Sequence, residues 1–330
     1  MQADSGHSVW AERYDRQMKD VFELQDDIAR SIAEALRIAL SPQEQKAIAR
    51  KPTENPEAYD YYLRGRGYTR RATSADLEFA LEMFEHAVML QPDFALAHTG
   101  IANACTLLYL WYGEEQHRIA RAESAAQRAL ELDPDLPEAI AARGENFLSR
   151  QRHEDAIRDA LVAIAANPAC ERAYWTLGRA YFVTERWNEA LDLMPRALEY
   201  CGDDYNLYIP FILCAERLGR TDLVHDLRTK HIYLVRRQLE LVPEDVRSRV
   251  LLANNFASEG LTEEAIREIK KAIALRPEDA SILYNGACTY AILGMKKEAL
   301  ETLKKAASLG FTQVQWAEQD PDLACVRDDP

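Results

Sequence analysis

Five prolines close similar phrases along this chain, and their spacing narrows the folds open to it. The phrases are "AVMLQPD" at Pro92, "ALELDPD" at Pro134, "AIAANPA" at Pro168, "ELVPED" at Pro243 and "AIALRPED" at Pro277. Pro134 to Pro168 and Pro243 to Pro277 are each 34 residues, and Pro92 to Pro134 is 34 plus an eight-residue insertion. A fixed period of this length marks an array in which one supersecondary unit stacks on copies of itself.

The interior of each phrase keeps the same phase. Counting from Pro137, Gly144 stands at position 8, Phe147 at 11, Ala156 at 20, Ala160 at 24 and Ala163 at 27; counting from Glu171, Tyr174, Leu177, Gly178, Tyr181, Ala190, Met194 and Ala197 fall at 4, 7, 8, 11, 20, 24 and 27. The units from Val246 and Ala280 continue the pattern through Ala253, Phe256 and Ala265, then Ala287, Tyr290 and Ala299. Small residues at 8, 20 and 27 let two antiparallel helices approach, large ones fill the seam, and proline stops the second helix. Each helix pair leaves an apolar face that only the next pair can cover.

This is the pattern of the tetratricopeptide repeat, which the chain resembles over residues 53–310. The resemblance implies an all-α fold: a right-handed superhelix of about seven helix-turn-helix units with a concave groove lined by the first helices. Three units are irregular. The first has a lengthened turn around "TRRATSADLEF", the second inserts eight residues in "LYLWYGEEQHR", and the fifth predicts a long second helix from Thr221 to about Leu241.

The ends read differently. Residues 6–16 alternate like a strand through Val9, Trp10 and Tyr14, and Asp20 with Glu23 forms a capping box for an extra helix from Val21 to about Leu40. The runs Trp10–Arg16, Asp20–Phe22 and Gln25–Ile28 resemble the last strand and helix of the TolB-like domain that precedes such repeats in bacterial class III adenylate/guanylate cyclases and winged-helix transcriptional regulators. On that resemblance residues 1–50 are the end of a TolB-like domain, 53–310 the array and 311–330 a tail. Met1 is then an engineered start or a truncated frame. Val9, Trp10, Val21 and Phe22 would pack on the first repeat or join two copies as a homodimer.

The net charge of −14 over 330 residues argues against nucleic acid and anionic membrane as partners. No apolar run reaches the roughly 18 residues of a membrane span. The six cysteines show no CxxC pair, which suits a reducing, cytoplasmic setting. No phosphate loop, nucleophile elbow, zinc pair or calcium loop is present, so no catalytic residue, metal or cofactor is expected. A cyclase or other effector activity would belong to a preceding domain. The rival enzyme reading, an α/α fold with an acidic groove, is opposed by the period; a small-ligand receptor using the superhelix interior is the other alternative.

Binding residues follow from the period. Positions 2, 5, 9 and 12 of the first helices line the groove, giving Asn103, Glu145, Arg172, Trp175, Arg179, Phe182, Asn206, Arg247, Asn254 and Tyr284. The best candidate surface is Arg172, Trp175, Arg179 and Phe182, two guanidinium groups beside two rings, suited to an acidic or aromatic-bearing protein segment. The competing reading is that Trp175 packs on the next helix and the arginines pair with acidic neighbours. Asn254 and Asn285 match part of a carboxylate clamp, but Val250 stands where that clamp needs a cation. Basic clusters at Arg64, Arg66, Arg70 and Arg71 and around Arg217 to Arg237 fit contacts to another domain or chain better than nucleic acid.

Overall fold

The computed structural model describes residues 53–112, 117–311, 317–318 and 320–327, with Ile28 and Ser31 as helical positions upstream. The expected strand at 6–16, its capping box, most of the helix after it and the apolar quartet from Val9 to Phe22 lie outside the described residues. Among the described residues there is no strand.

Fourteen α-helices pair in chain order among these residues. They are α1 (Pro56–Arg71) with α2 (Ser74–Leu90), α3 (Ala95–Tyr112) with α4 (His117–Leu132), α5 (Pro137–Ser149) with α6 (His153–Ala166), and α7 (Glu171–Val183) with α8 (Trp187–Cys201). After a short 3-10 turn at Tyr205–Leu207 come α9 (Tyr208–Arg217) with α10 (Thr221–Leu241), α11 (Val246–Ser258) with α12 (Thr262–Leu275), and α13 (Ala280–Ile292) with α14 (Lys296–Ser308). Seven pairs stacked on their neighbours make the right-handed tetratricopeptide superhelix. A second 3-10 helix, Pro321–Val326, follows the last pair.

Local chemistry sets the boundaries. Asn55 caps α1 by accepting from the backbone N–H of Glu57 and Ala58 at 3.0 and 3.1 Å, and Pro56 fills the first helical turn, where no donor is needed. Asp245 and Asp279 cap α11 and α13 in the same way. Among the described residues, the turn inside every pair but the second, whose turn lies outside them, passes through left-handed backbone. Glycine supplies it at Gly219, Gly260 and Gly294 (φ 65°, 74° and 71°), whereas Ala72, Gln151 and Glu185 are forced there at φ 60° to 61°.

Packing follows the period. Ala80, Ala129, Ala156, Ala190, Ala265 and Ala299 are fully covered, as small residues between close helices must be. Phe84 is clasped between α1 and α3: a Cβ added at either Gly65 or Gly100 would lie 2.6 Å from its ring. The core falls into three clusters, one per end and one in the middle, and the C-terminal cluster includes Leu323 and Val326 of the tail.

Two expectations about irregular units need correction. The first unit has no lengthened turn: its extra residues continue α1 to Arg71, and only Ala72 and Thr73 separate the helices. In the second, much of the insertion extends α3 to Tyr112, because "LLYLWY" contains no glycine or proline to stop it. The long α10 spans Thr221–Leu241 as expected, and its end reaches the first unit. There Gln238 donates to the Arg71 carbonyl at 3.4 Å and Arg71 pairs with Glu244 at 3.1 Å.

Candidate functional site

The extension of α3 builds the most elaborate site in the molecule. Its last turn carries Trp111 and Tyr112 across the superhelix interior. The Arg247 guanidinium, on α11, sits 3.9 Å from the centre of the Trp111 ring, and that of Arg172, on α7, lies 5.9 Å away. Tyr112 donates to the Ala72 carbonyl at 2.5 Å, and burial pushes its phenol far above the usual range. Units two, four and six thus meet at one tryptophan.

Arg172 and Arg247 are held from behind. Arg172 Nε donates to Glu145 Oε2 at 3.2 Å, its Nη2 reaches Oε1 of the same carboxylate, and its guanidinium lies 4.9 Å from the Trp175 ring. Glu145 is 0% exposed, so the pair is a buried bidentate bridge. Burial draws the Arg172 guanidinium down to about 10. Arg247 Nη1 donates to Asn206 Oδ1 at 2.6 Å, and Asn206 Nδ2 donates to Asp204 at 3.0 Å. Beneath this network His231 is buried, stacked on Tyr205 and Tyr208 at 6.4 and 6.2 Å, with Asn255 Nδ2 3.0 Å from its Nδ1. Loss of solvent lowers its pKa to about 3.

In front of the cluster is a cavity of about 1070 Å3, open between α1, the inner helices and the end of α10. Asn103, Trp111, Arg172 and Asn206 line it together with Tyr62 and Tyr205. Its cations are Arg66, Arg70, Arg172 and Lys230; its acids are Glu138, Glu171, Glu199, Asp203 and Asp204. The wall is therefore of mixed sign rather than basic. Burial beside Asp204 raises the Glu171 carboxyl above its ordinary range, against the pull of Arg70 and Arg66. Asn103 Oδ1 is buried with no hydrogen-bond partner among the described residues.

Of the ten residues expected in the groove, Asn103, Glu145, Arg172, Trp175, Asn206 and Arg247 gather here. Trp175 and Phe182 are buried among the helices, and Arg172 pairs with the acidic Glu145. Arg179 and Arg217 bracket Phe182 at 5.6 and 5.9 Å, and Asn254 accepts from Thr289. Tyr284 is covered by the tail. The basic clusters are largely engaged, Arg64 with Asp60 at 2.6 Å, Arg71 with Asp76 at 3.0 Å and Arg228 with Glu216. Sequence reasoning missed Trp111; two bulky aromatics within the insertion were the available sign. None of the six cysteines is in a disulfide, and burial pushes the Cys170 and Cys214 thiols up to about 12.

Comparison with known proteins agrees with this architecture. Residues 69–200 match the bacterial transcriptional activator domain model, and residues 246–279 and 280–309 each match the tetratricopeptide repeat model. A putative adenylate cyclase 3 of Rhizobium meliloti (strain 1021) is 29% identical over 136 residues, 41% of this chain; the match spans 23% of that relative's length. Among solved structures, the human IFIT1 dimer with m7Gppp-AAAA superposes with a TM-score of 0.51 at 13% identity, over 88% of this chain and 77% of that one. A tetratricopeptide repeat protein from Parabacteroides merdae ATCC 43184 gives a TM-score of 0.44 at 16% identity, over 80% of this chain and 97% of that one. Among the described residues no helix is long and apolar enough to cross a membrane. The repeats are those of a protein-interaction scaffold.

Proposed function

We propose that this tetratricopeptide-repeat chain holds a segment of another protein in the cavity around Trp111, as a non-catalytic scaffold. The crossing of α3 carries the reading. It turns an open groove into a chamber of about 1070 Å3 whose wall combines rings with charges of both signs. A segment bearing an aromatic side chain and both signs of charge suits that wall, through stacking on Trp111 and charge-assisted bonds. Five acidic residues facing four cations disfavour a polyanion such as RNA. The similarity to a putative adenylate cyclase and to a transcriptional activator domain supports a setting in the regulatory C-terminal region of a larger bacterial signalling protein in the cytoplasm.

A second reading, a receptor for a small metabolite, uses the same chamber and draws on the unpartnered oxygen of Asn103. One experiment separates the two. Peptide arrays probed with the intact chain should yield binders that Trp111→Ala weakens on the order of 10- to 30-fold by calorimetry, as truncating a central aromatic anchor does. Absence of any such binder, with a metabolite that raises the melting temperature only when Trp111 is present, would replace the scaffold with the receptor.

A further inference from the structure

The tail supplies a second, separate observation. Tyr284, Cys288 and Ala291 stand at positions 5, 9 and 12 of the seventh unit, the positions that face the groove, and all three touch the segment that begins at Asp320. Tyr284 donates to Asp320 Oδ2 at 2.5 Å, Cys288 Sγ lies 3.8 Å from the same oxygen, and Cys325 Sγ donates to the Ala291 carbonyl at 3.2 Å. Asp320 Oδ1 caps the 3-10 turn through the Asp322 N–H at 3.0 Å, and Arg327 closes it on the Asp320 carbonyl at 2.8 Å. Leu323 and Val326 are 4% and 5% exposed and join the core cluster of the last two units.

We propose that the groove face of α13 is a docking site for a short segment of another protein built as this tail is, an aspartate followed by two aliphatic residues three apart, and that residues 320–327 are its displaceable internal occupant. The occupant shows the recognition: Tyr284 reads the carboxylate and an apolar hollow reads the leucine and valine. It is also an imperfect tenant. The half-buried Asp322 faces Asp320 and, from α9, Glu216, with Cys288 on α13 nearby and Arg228 on α10 as the opposing charge; burial and the two carboxylates push its own carboxyl up to about 7. A segment lacking that second carboxylate would fit better than the tail does. The site shares no residue with the Trp111 chamber.

The test uses the full chain with Leu323→Asp and Val326→Asp, which expel the tail without touching α13. A fluorescein-labelled peptide of residues 317–330, under reducing conditions, is titrated against both chains. It should bind the variant at least tenfold more tightly than the unaltered chain, bind more tightly still when its own Asp322 is replaced by Asn, and lose at least tenfold when Tyr284→Phe is added. Trp111→Ala should leave it unchanged, so that failure here is distinct from failure of the chamber reading. No binding to a variant of unaltered helicity, or binding that depends on Trp111, would overturn the proposal. Should the variant unfold, hydrogen exchange on the unaltered chain decides: protection at 320–327 as strong as in α13 makes the segment a permanent cap and ends the proposal, whereas much faster exchange supports it.

Discussion

The chamber around Trp111 and the groove face of α13 use the same positions of the same repeat, yet one is open and the other covered. At the chamber, positions 2 and 9 carry Arg172, Arg247 and Glu145, whose charges are fixed by partners on the neighbouring units. At α13, Tyr284 and Cys288 meet eight residues of the chain's own end. The repeat decides which residues face inward, and the irregular pieces, a helix too long and a tail, decide what they face.

The sharpest way to break that contrast is to attack the support of each site. Glu145→Ala leaves the Arg172 guanidinium buried without its anion, and should cost about 3–5 kcal/mol in urea unfolding. Asp320→Asn, which keeps an acceptor for Tyr284, should shift the same midpoint by under ~1 kcal/mol. Equal costs would mean that the tail is as integral as the buried bridge.

Acid should move the two regions in opposite directions. His231 has its pKa lowered to about 3 from an ordinary 6.5, so its contribution is present above 6.5 and lost as pH falls toward 3, at up to about 1.4 kcal/mol per unit. Asp322 has its carboxyl raised to about 7, so its contribution is present below the unperturbed 3.8 and lost as pH rises through 7. Between pH 7 and 5, hydrogen exchange corrected for intrinsic rates should quicken around Tyr205, Tyr208 and His231 and slow at 320–327. A common direction in both regions would remove the distinction. The smallest effect concerns the turns: Glu185→Gly should stabilise by roughly 0.5–1 kcal/mol, because glycine accepts φ 61° without strain, and Gly260→Ala should do the reverse.

Much of the fold was legible in the sequence because a repeat writes nearest-neighbour packing into its period. The small residues at positions 8, 20 and 27, and the span Thr221–Leu241, could be read directly. What crosses the superhelix could not. The contacts of Trp111 with Arg247 and of Arg71 with Glu244 join residues 136 and 173 apart, and no period registers them. The inward-facing positions were legible, but the degree of burial was not: Trp175 and Phe182 lie under neighbours that sequence alone does not place.

A plain superhelix of helix pairs behaves as a spring, since small slips at each interface add up along its length. The last turn of α3 works here as a spoke. With Trp111 against Arg247 and the end of α10 against α1, the first six units form a braced hoop. Under tension the hoop should resist until the spoke lets go and then open in one step.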